Sequence, residues 1–283
     1  MKLTWQNFSF DFSVKTYIMG ILNVTPDSFS DGGLHFEKSN AIDCAMKMVD
    51  DGADIIDIGG ESTRPGAEPV SIEEELDRTI PVIEALSCRI PIPISIDTYK
   101  SEVARRALTA GASMVNDISG LRFDPAMSGI VSEFRIPVVI MHIKGAPRNM
   151  QVHPSYEALI PEIMDYLRES MQIAVQKGVA EDMIILDPGI GFGKTFDHNL
   201  QIINRLHEFT KLEKPILIGP SRKSFLGEIL EDLAPEQRLE GTAAAVTASI
   251  MKGAHIIRVH DVKEMSRVAR VADAIKRETI SLS

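Results

Sequence analysis

The 283-residue sequence is short of cysteine, of aromatic residues and of basic charge, and it contains no long apolar run. Its two cysteines, Cys44 and Cys88, fall in helical patterns without metal-ligand spacing. That argues against a disulfide framework and for a reducing cytoplasm. No apolar stretch approaches the ~18 residues of a membrane span. Met1 to Ser13 lacks the continuous apolar core of a signal peptide. Lys and Arg number 30 against 40 Asp and Glu, a net charge of −10, which argues against a nucleic-acid binder. What is plentiful is aliphatic material: 44% of residues are hydrophobic while only 6% are aromatic. With 25% charged residues this is the composition of a folded globular chain with enough apolar side chains for a sizeable core. No linker, low-complexity tract or charge block divides residues 1–283, so one domain is expected.

Short Ile- and Val-rich strands bounded by Gly or Pro are read at Tyr17–Leu22, Asp54–Ile58, Pro93–Asp97, Ser113–Asp117, Pro137–Met141, Met183–Asp187, Pro215–Gly219 and His255–Val259. Amphipathic helical patterns fill the gaps: Asn40–Asp51, Ile72–Ser87, Ser101–Ala110, Asp124–Glu133, Ser155–Lys177, His198–Phe209, Glu240–Lys252 and Val262–Arg277. Strict alternation of strand and helix implies an α/β protein with a parallel sheet. The repeat count favours a closed (β/α)₈ TIM barrel over an open doubly wound sheet.

An internal echo supports the barrel. Gly52-Ala53-Asp54-Ile55-Ile56-Asp57, Gly111-Ala112-Ser113-Met114-Val115-Asn116 and Gly253-Ala254-His255-Ile256-Ile257-Arg258 share one pattern. Each glycine suits the left-handed residue that ends a helix. A common helix exit explains the glycines alone. It does not explain why Asp57, Asn116 and Arg258 recur at one offset, on the strand face that carries a large apolar residue two positions earlier.

Polar residues gather where the strands end: Asn23, Glu61 to Arg64, Asp97, Asn116 and Asp117, His142, Asp187, Ser221 to Ser224, Arg258 and His260. Buried polar groups are costly unless paired, so their convergence points to a polar ligand. Asp97 and Asp187 offer acceptors suited to a planar N–H edge, or else they cap the turns that follow. The run Asp187-Pro188-Gly189-Ile190-Gly191-Phe192-Gly193-Lys194-Thr195 ends like a P-loop. The leading glycine of that motif would fall on Pro188, however, and the third glycine of a dinucleotide fingerprint would fall on Lys194. It reads either as a flexible turn or as a backbone open to close approach by a flat ligand. Ser221-Arg222-Lys223-Ser224 begins a short helix and suits an anion, as do Arg258 and His260. The sequence shows neither a Ser–His–Asp order nor a metal-ligand cluster. A Mg²⁺ shared with a phosphate needs only one or two protein oxygens and stays open.

At this point the motifs become specific. Gly20-Ile21-Leu22-Asn23-Val24-Thr25-Pro26-Asp27-Ser28-Phe29-Ser30-Asp31-Gly32-Gly33 resembles the first signature of the dihydropteroate synthases, and Asp57-Ile58-Gly59-Gly60-Glu61-Ser62-Thr63-Arg64-Pro65-Gly66 the second. Ser95-Ile96-Asp97-Thr98, Val115-Asn116-Asp117-Ile118, the glycine-rich run, Ser221-Arg222-Lys223-Ser224 and Arg258-Val259-His260-Asp261-Val262 match in order. The resemblance extends from about Tyr17 to Val271.

It implies a TIM barrel, a homodimer, and the joining of 4-aminobenzoate to 6-hydroxymethyl-7,8-dihydropterin diphosphate, giving 7,8-dihydropteroate and diphosphate in folate biosynthesis. By motif it implies a pterin pocket of Asp97, Asn116, Asp187 and Lys223 with Arg258 stacked on the ring. The diphosphate and its Mg²⁺ would be held by Asn23, Arg258 and His260, with Asn23 on the metal. The aminobenzoate site would comprise Thr63, Arg64, Pro65, Phe192, Lys223 and Ser224. Lys223, Arg258 and Asp97 would carry catalysis, a dissociative substitution at the pterin methylene beneath two closing loops, Asn23–Ser39 and Gly59–Ser71. Two rival readings share the pterin-binding barrel. A methyltetrahydrofolate–corrinoid methyltransferase would not need the Ser221 to Ser224 element. A non-catalytic paralogue would have lost Lys223, Arg258 or the first loop.

Overall fold

The computed structural model describes residues 1–25 and 33–280, with residues 33–37 as backbone only. Part of the first signature and of the first expected loop, from Pro26 to Gly32, lies outside the described residues.

The chain opens on an antiparallel hairpin, β1 (Lys2–Trp5) and β2 (Phe8–Asp11). Leu3, Trp5 and Phe10 alternate inward and are buried. Phe10 stacks on Tyr17 at 4.2 Å, and Phe12 meets Tyr17 and His255 edge-on. Tyr17 begins β3 (Tyr17–Asn23), and His255 directly precedes the last barrel strand. The hairpin therefore plugs the N-terminal end of the barrel. The sequence reading missed it, because two strands of four residues leave little periodicity to detect.

The barrel follows in order: β3; α1 (Gly33–Asp50); β4 (Ile55–Gly59); α2 (Ile72–Ser87); β5 (Ile94–Asp97); α3 (Ser101–Ala110); β6 (Met114–Asp117); α4 (Met127–Phe134); β7 (Val138–Met141); α5 (Leu159–Gln176); β8 (Ile184–Asp187); α6 (Phe196–Asn204); β9 (Leu217–Ile218); α7 (Ser224–Ile229); α8 (Leu239–Met251); β10 (Ile256–Val259); and α9 (Val262–Arg277). The strands are parallel, in the order β8-β7-β6-β5-β4-β3-β10-β9. A bridge between Leu186 and Ile216 closes β8 onto the start of β9. The expected TIM barrel is thus the observed one, and every expected strand is present.

Boundaries shift for local reasons. Helix α1 begins at Gly33 rather than Asn40, within the stretch read as the first loop, because residues 33–39 carry little apolar periodicity to announce a helix. Helix α4 begins at Met127 because the Asp124 carboxylate is occupied outside it, accepting from Ser101 N–H (2.8 Å) and Ala126 N–H (3.0 Å). The expected helix His198–Phe209 splits into α6 and a 3₁₀ segment, Leu206–Leu212. The buried Leu206, Phe209 and Leu212 stand three apart there, which is the period of a 3₁₀ turn. Gly111, in the left-handed region at φ 117°, ends α3 as the echo anticipated.

Candidate active site

The strands deliver their polar residues to one end of the barrel. Asn23 pairs in register with Gly59, Gly59 with Asp97, and Asp97 with Asn116. This is the C-terminal rim, where barrel enzymes place their chemistry.

Asp57, one step below on β4, organises that rim. Its Oδ2 accepts from Asn116 Nδ2 (2.9 Å) and Arg258 Nε (2.6 Å), and Arg258 Nη2 donates to Asp97 Oδ2 (2.7 Å). The three polar residues of the echo therefore form one network with Asp97. Asp57 is wholly buried, yet Asp57 Oδ1 and Asp97 Oδ1 have no hydrogen-bond partner among the described residues. Burial raises the Asp97 carboxyl to about 7; the Arg258 charge opposes the shift and Asp57 reinforces it. Asp97 caps no turn: Thr98 N–H donates to the Asn116 carbonyl, and the first N–H of α3, on Ser101, goes to Asp124. Asp187 does serve a turn: its Oδ1 accepts from Gly189 N–H (2.7 Å). Burial raises its carboxyl to about 6, opposed by that N–H and by Lys223.

Burial lowers Lys223 to about 8, with Arg258 pushing the same way and Asp187 and Asp97 against. Its Nζ lies 4.3 Å above the Phe192 ring. Phe192 belongs to a small apolar cluster with Ile118, Met141, Ile143 and Met150, separate from the main core, with Tyr99 against it. Arg64 and Pro65 are exposed in the second loop, where Ala67 N–H donates to the Arg64 carbonyl. Arg64 is near enough to Lys223 to lower it further. Ser224 is exposed at the first turn of α7, and Thr63 is partly buried.

Several expectations need correction. Arg222, in the predicted anion element, is turned away to pair with Asp261 through Nε (3.1 Å) and Nη2 (2.5 Å). His260 faces Ser221, with Nδ1 3.0 Å from Oγ, while Ser221 Oγ accepts the His260 backbone N–H. Burial, aided by Arg222 and Arg258, pushes its imidazole down to about 3. That favours the neutral imidazole, the donor form of the anion site read from the sequence. The glycine-rich loop is also not simply open to a ligand. A Cβ on Gly189 would meet the His142 carbonyl oxygen at 2.0 Å, and one on Gly193 the Lys144 carbonyl oxygen at 2.3 Å. The close approach there is by the chain that follows β7.

Two features escaped sequence reading. Asp57 was visible in the echo but carried no role. Lys194, nearly fully buried, bonds the Phe192 carbonyl (2.9 Å) and lies 2.9 Å from His142 Nδ1. It pins the loop from inside, which its P-loop-like neighbours did not suggest. Among the described residues, no group of three His, Cys, Asp or Glu side chains could hold a metal ion, and no helix is long and apolar enough to cross a membrane.

With this geometry in hand, comparison with known proteins is informative. The family model for pterin binding enzymes matches residues 19–260. The chain is 51% identical to the dihydropteroate synthase of Synechocystis over 95% of its own length and 93% of the relative's. It is 52% identical to that of Bacillus subtilis, over 93% and 90%. The Yersinia pestis dihydropteroate synthase, solved with a sulfonamide drug, superposes with a TM-score of 0.92 at 44% identity, covering 98% of this chain and all of the other. The Xanthomonas albilineans enzyme, solved with 4-aminobenzoic acid, gives 0.91 at 40% identity over 97% and 98%. The barrel, the converging rim and this similarity along nearly the whole length lead to one conclusion: the chain belongs to the pterin-binding enzymes and, among them, to the dihydropteroate synthases, transferases of folate synthesis.

Proposed function

We propose that the pterin of 6-hydroxymethyl-7,8-dihydropterin diphosphate binds against Asp97, Asn116, Asp187 and Lys223, with Arg258 over the ring. The observation that carries this reading is Asp97 Oδ1, a buried carboxylate oxygen at the rim without a partner among the described residues. A buried acceptor left empty is costly, and an aminopyrimidine edge supplies donors for it. Arg258 spends Nε and one Nη2–H on Asp57 and Asp97 and keeps other N–H groups for the diphosphate. With Nδ1 accepting from the Ser221 hydroxyl, His260 would present Nε2–H as a neutral donor.

Mg²⁺ fits the donor set as an ion brought with the diphosphate. Asn23 Oδ1 and Asp97 Oδ2 both lie within 4 Å of where a Cβ on Gly59 would sit, at 3.8 and 3.7 Å, so two oxygens flank the same glycine at the rim. Asn23 would supply the protein oxygen, and the metal would draw charge off the leaving group. Thr63, Arg64, Pro65, Phe192, Lys223 and Ser224 form the aminobenzoate site, where a sulfonamide would compete as a mimic.

The reaction proceeds by breaking the methylene C–O bond, whose electron pair departs with diphosphate. The pterin stabilises the cationic methylene. The amine nitrogen of 4-aminobenzoate then donates its lone pair to that carbon, and its extra proton passes to water. Arg258 and His260 stabilise the charge developing on the leaving group. The anilinium is acidic enough to need no strong base.

The enzyme works as a homodimer in a reducing cytoplasm, which suits the free thiols Cys44 and Cys88. The exposed Val271 and Ile275, one turn apart on α9, are the apolar surface suited to a second copy. A monomer in sedimentation at working concentration would refute the dimer. For the activity, both substrates are mixed with Mg²⁺ and diphosphate is measured. Release that depends on 4-aminobenzoate is expected; no release, or release independent of the amine, overturns the reading and points to a non-catalytic pterin binder.

A further inference from the structure

Behind the rim lies a charged cluster that the proposed chemistry does not use. Lys100 Nζ donates to Glu61 Oε2 (2.5 Å), Glu75 Oε2 (2.6 Å) and the Val70 carbonyl (2.8 Å). The Tyr99 hydroxyl donates to Glu61 Oε1 (2.8 Å), and Val70 N–H donates to Glu61 Oε2 (3.3 Å). Side-chain exposure is 12% for Lys100, 7% for Glu61 and 1% for Glu75.

Their placement is informative. Glu61 and Val70 stand at the two ends of the loop between β4 and α2. Lys100 precedes α3, and Glu75 lies in the first turn of α2. One ammonium group thus ties both ends of the loop to two helices. Arg78 Nη1 adds a bond to the Gly60 carbonyl (2.7 Å) at the loop's first turn. Between the ties, Arg64, Pro65 and Gly66 are exposed; Gly66 N–H donates to the Pro147 carbonyl (3.2 Å) in the segment between β7 and α5, and the Arg64 charge acts on Lys223.

Such a cluster is a poor device for stability. Two carboxylates share one cation, and Glu75 Oε1 has no partner among the described residues. Burying charges costs several kcal/mol per ion, and well-packed apolar residues often serve as well or better. Directional bonds to both loop ends supply instead a fixed loop conformation, which apolar packing would leave loosely specified.

The geometry points to Glu61 and Lys100 as positioning residues for the aminobenzoate site: together with Glu75 they hold the Gly60–Val70 loop so that Thr63, Arg64 and Pro65 stand over Lys223 and Phe192. The inference rests on the assignment of those residues to 4-aminobenzoate made above. A displacement of about 1 Å in a positioning element can cost up to ~100-fold in rate. The pterin pocket, built on strands, should be spared.

The test is steady-state kinetics with each substrate varied separately. Glu61→Ala releases the loop while leaving the Lys100–Glu75 pair balanced, so the barrel is retained. Glu61→Gln keeps one acceptor oxygen for Lys100 and turns its NH₂ to the Tyr99 hydroxyl, which can accept in place of donating, and so provides the conservative rescue. The double variant T63A/R64A reports on the loop itself. Glu61→Ala is expected to raise KM for 4-aminobenzoate about tenfold or more while KM for the pterin diphosphate moves less than about twofold, with Glu61→Gln recovering most of the loss. If Glu61→Ala leaves the aminobenzoate KM unchanged, or raises both KM values alike, while T63A/R64A impairs aminobenzoate alone, the positioning role is overturned and the site assignment survives. If T63A/R64A also leaves that KM unchanged, the site assignment itself fails.

Discussion

Asp57 Oδ2 accepts from both Arg258 and Asn116, so one buried oxygen sets the orientation of two residues that face the pterin pocket. The neighbouring Asp97 has a folded-state carboxyl near 7, against 3.8 for its ordinary value, because burial outweighs the Arg258 charge. The unfolded chain gives up this proton near pH 4, while the folded chain keeps it to about 7. Asp97 therefore contributes stability that is present at low pH and lost as pH rises through about 7. Asp97→Asn removes that titration. The melting temperature of the variant minus that of the parent should rise between pH 5 and pH 8, measured without ligand. A flat or falling difference would show that Asp97 is already ionised at pH 5. At this scale the sequence was informative about identity, since Asp97, Asn116, Asp187, Lys223 and Arg258 all stand at the rim. It was uninformative about partnership. Arg222 and Arg258 look alike as residues beside strand ends, yet one is spent on Asp261 and the other bridges the two carboxylates.

At the scale of elements, two glycines in similar conformations should behave differently. Gly189 has φ +74° and the His142 carbonyl 2.0 Å from a would-be Cβ, whereas Gly66 has φ +80° and nothing within 4 Å. Gly66→Ala should cost only the left-handed backbone, about 1 kcal/mol. Gly189→Ala adds a clash with main chain and should cost about 3 kcal/mol or more, with loss of activity as the loop bearing Phe192 shifts. Urea unfolding of both variants checks this, and equal losses would mean that the loop relaxes freely. The motif was legible in the sequence here, but its reason was not. The glycines admit the backbone that follows β7, and that contact depends on two loops meeting over the rim.

For the whole molecule, the two ends of the barrel have separate duties. The N-terminal hairpin covers the end opposite the site, with Phe10 on Tyr17 and Phe12 on His255. Phe10→Ala should destabilise the protein by about 3 kcal/mol through the cavity it leaves. It should leave kcat/KM for both substrates unchanged below the melting transition. A selective change in either kcat/KM would show that the two ends communicate. The sequence by itself determined the alternation of strand and helix, the number of repeats and the residues that end each strand. Those features rest on local periodicity and on backbone-specific residues such as Gly111, which act within a few positions along the chain. Only the tertiary structure decided which charges meet. Arg258 reaches Asp57 across 201 residues and Asp97 across 161, and Lys100 reaches Glu61 across 39. Such pairs depend on strand register, barrel closure and burial, which exist only once the whole chain has folded.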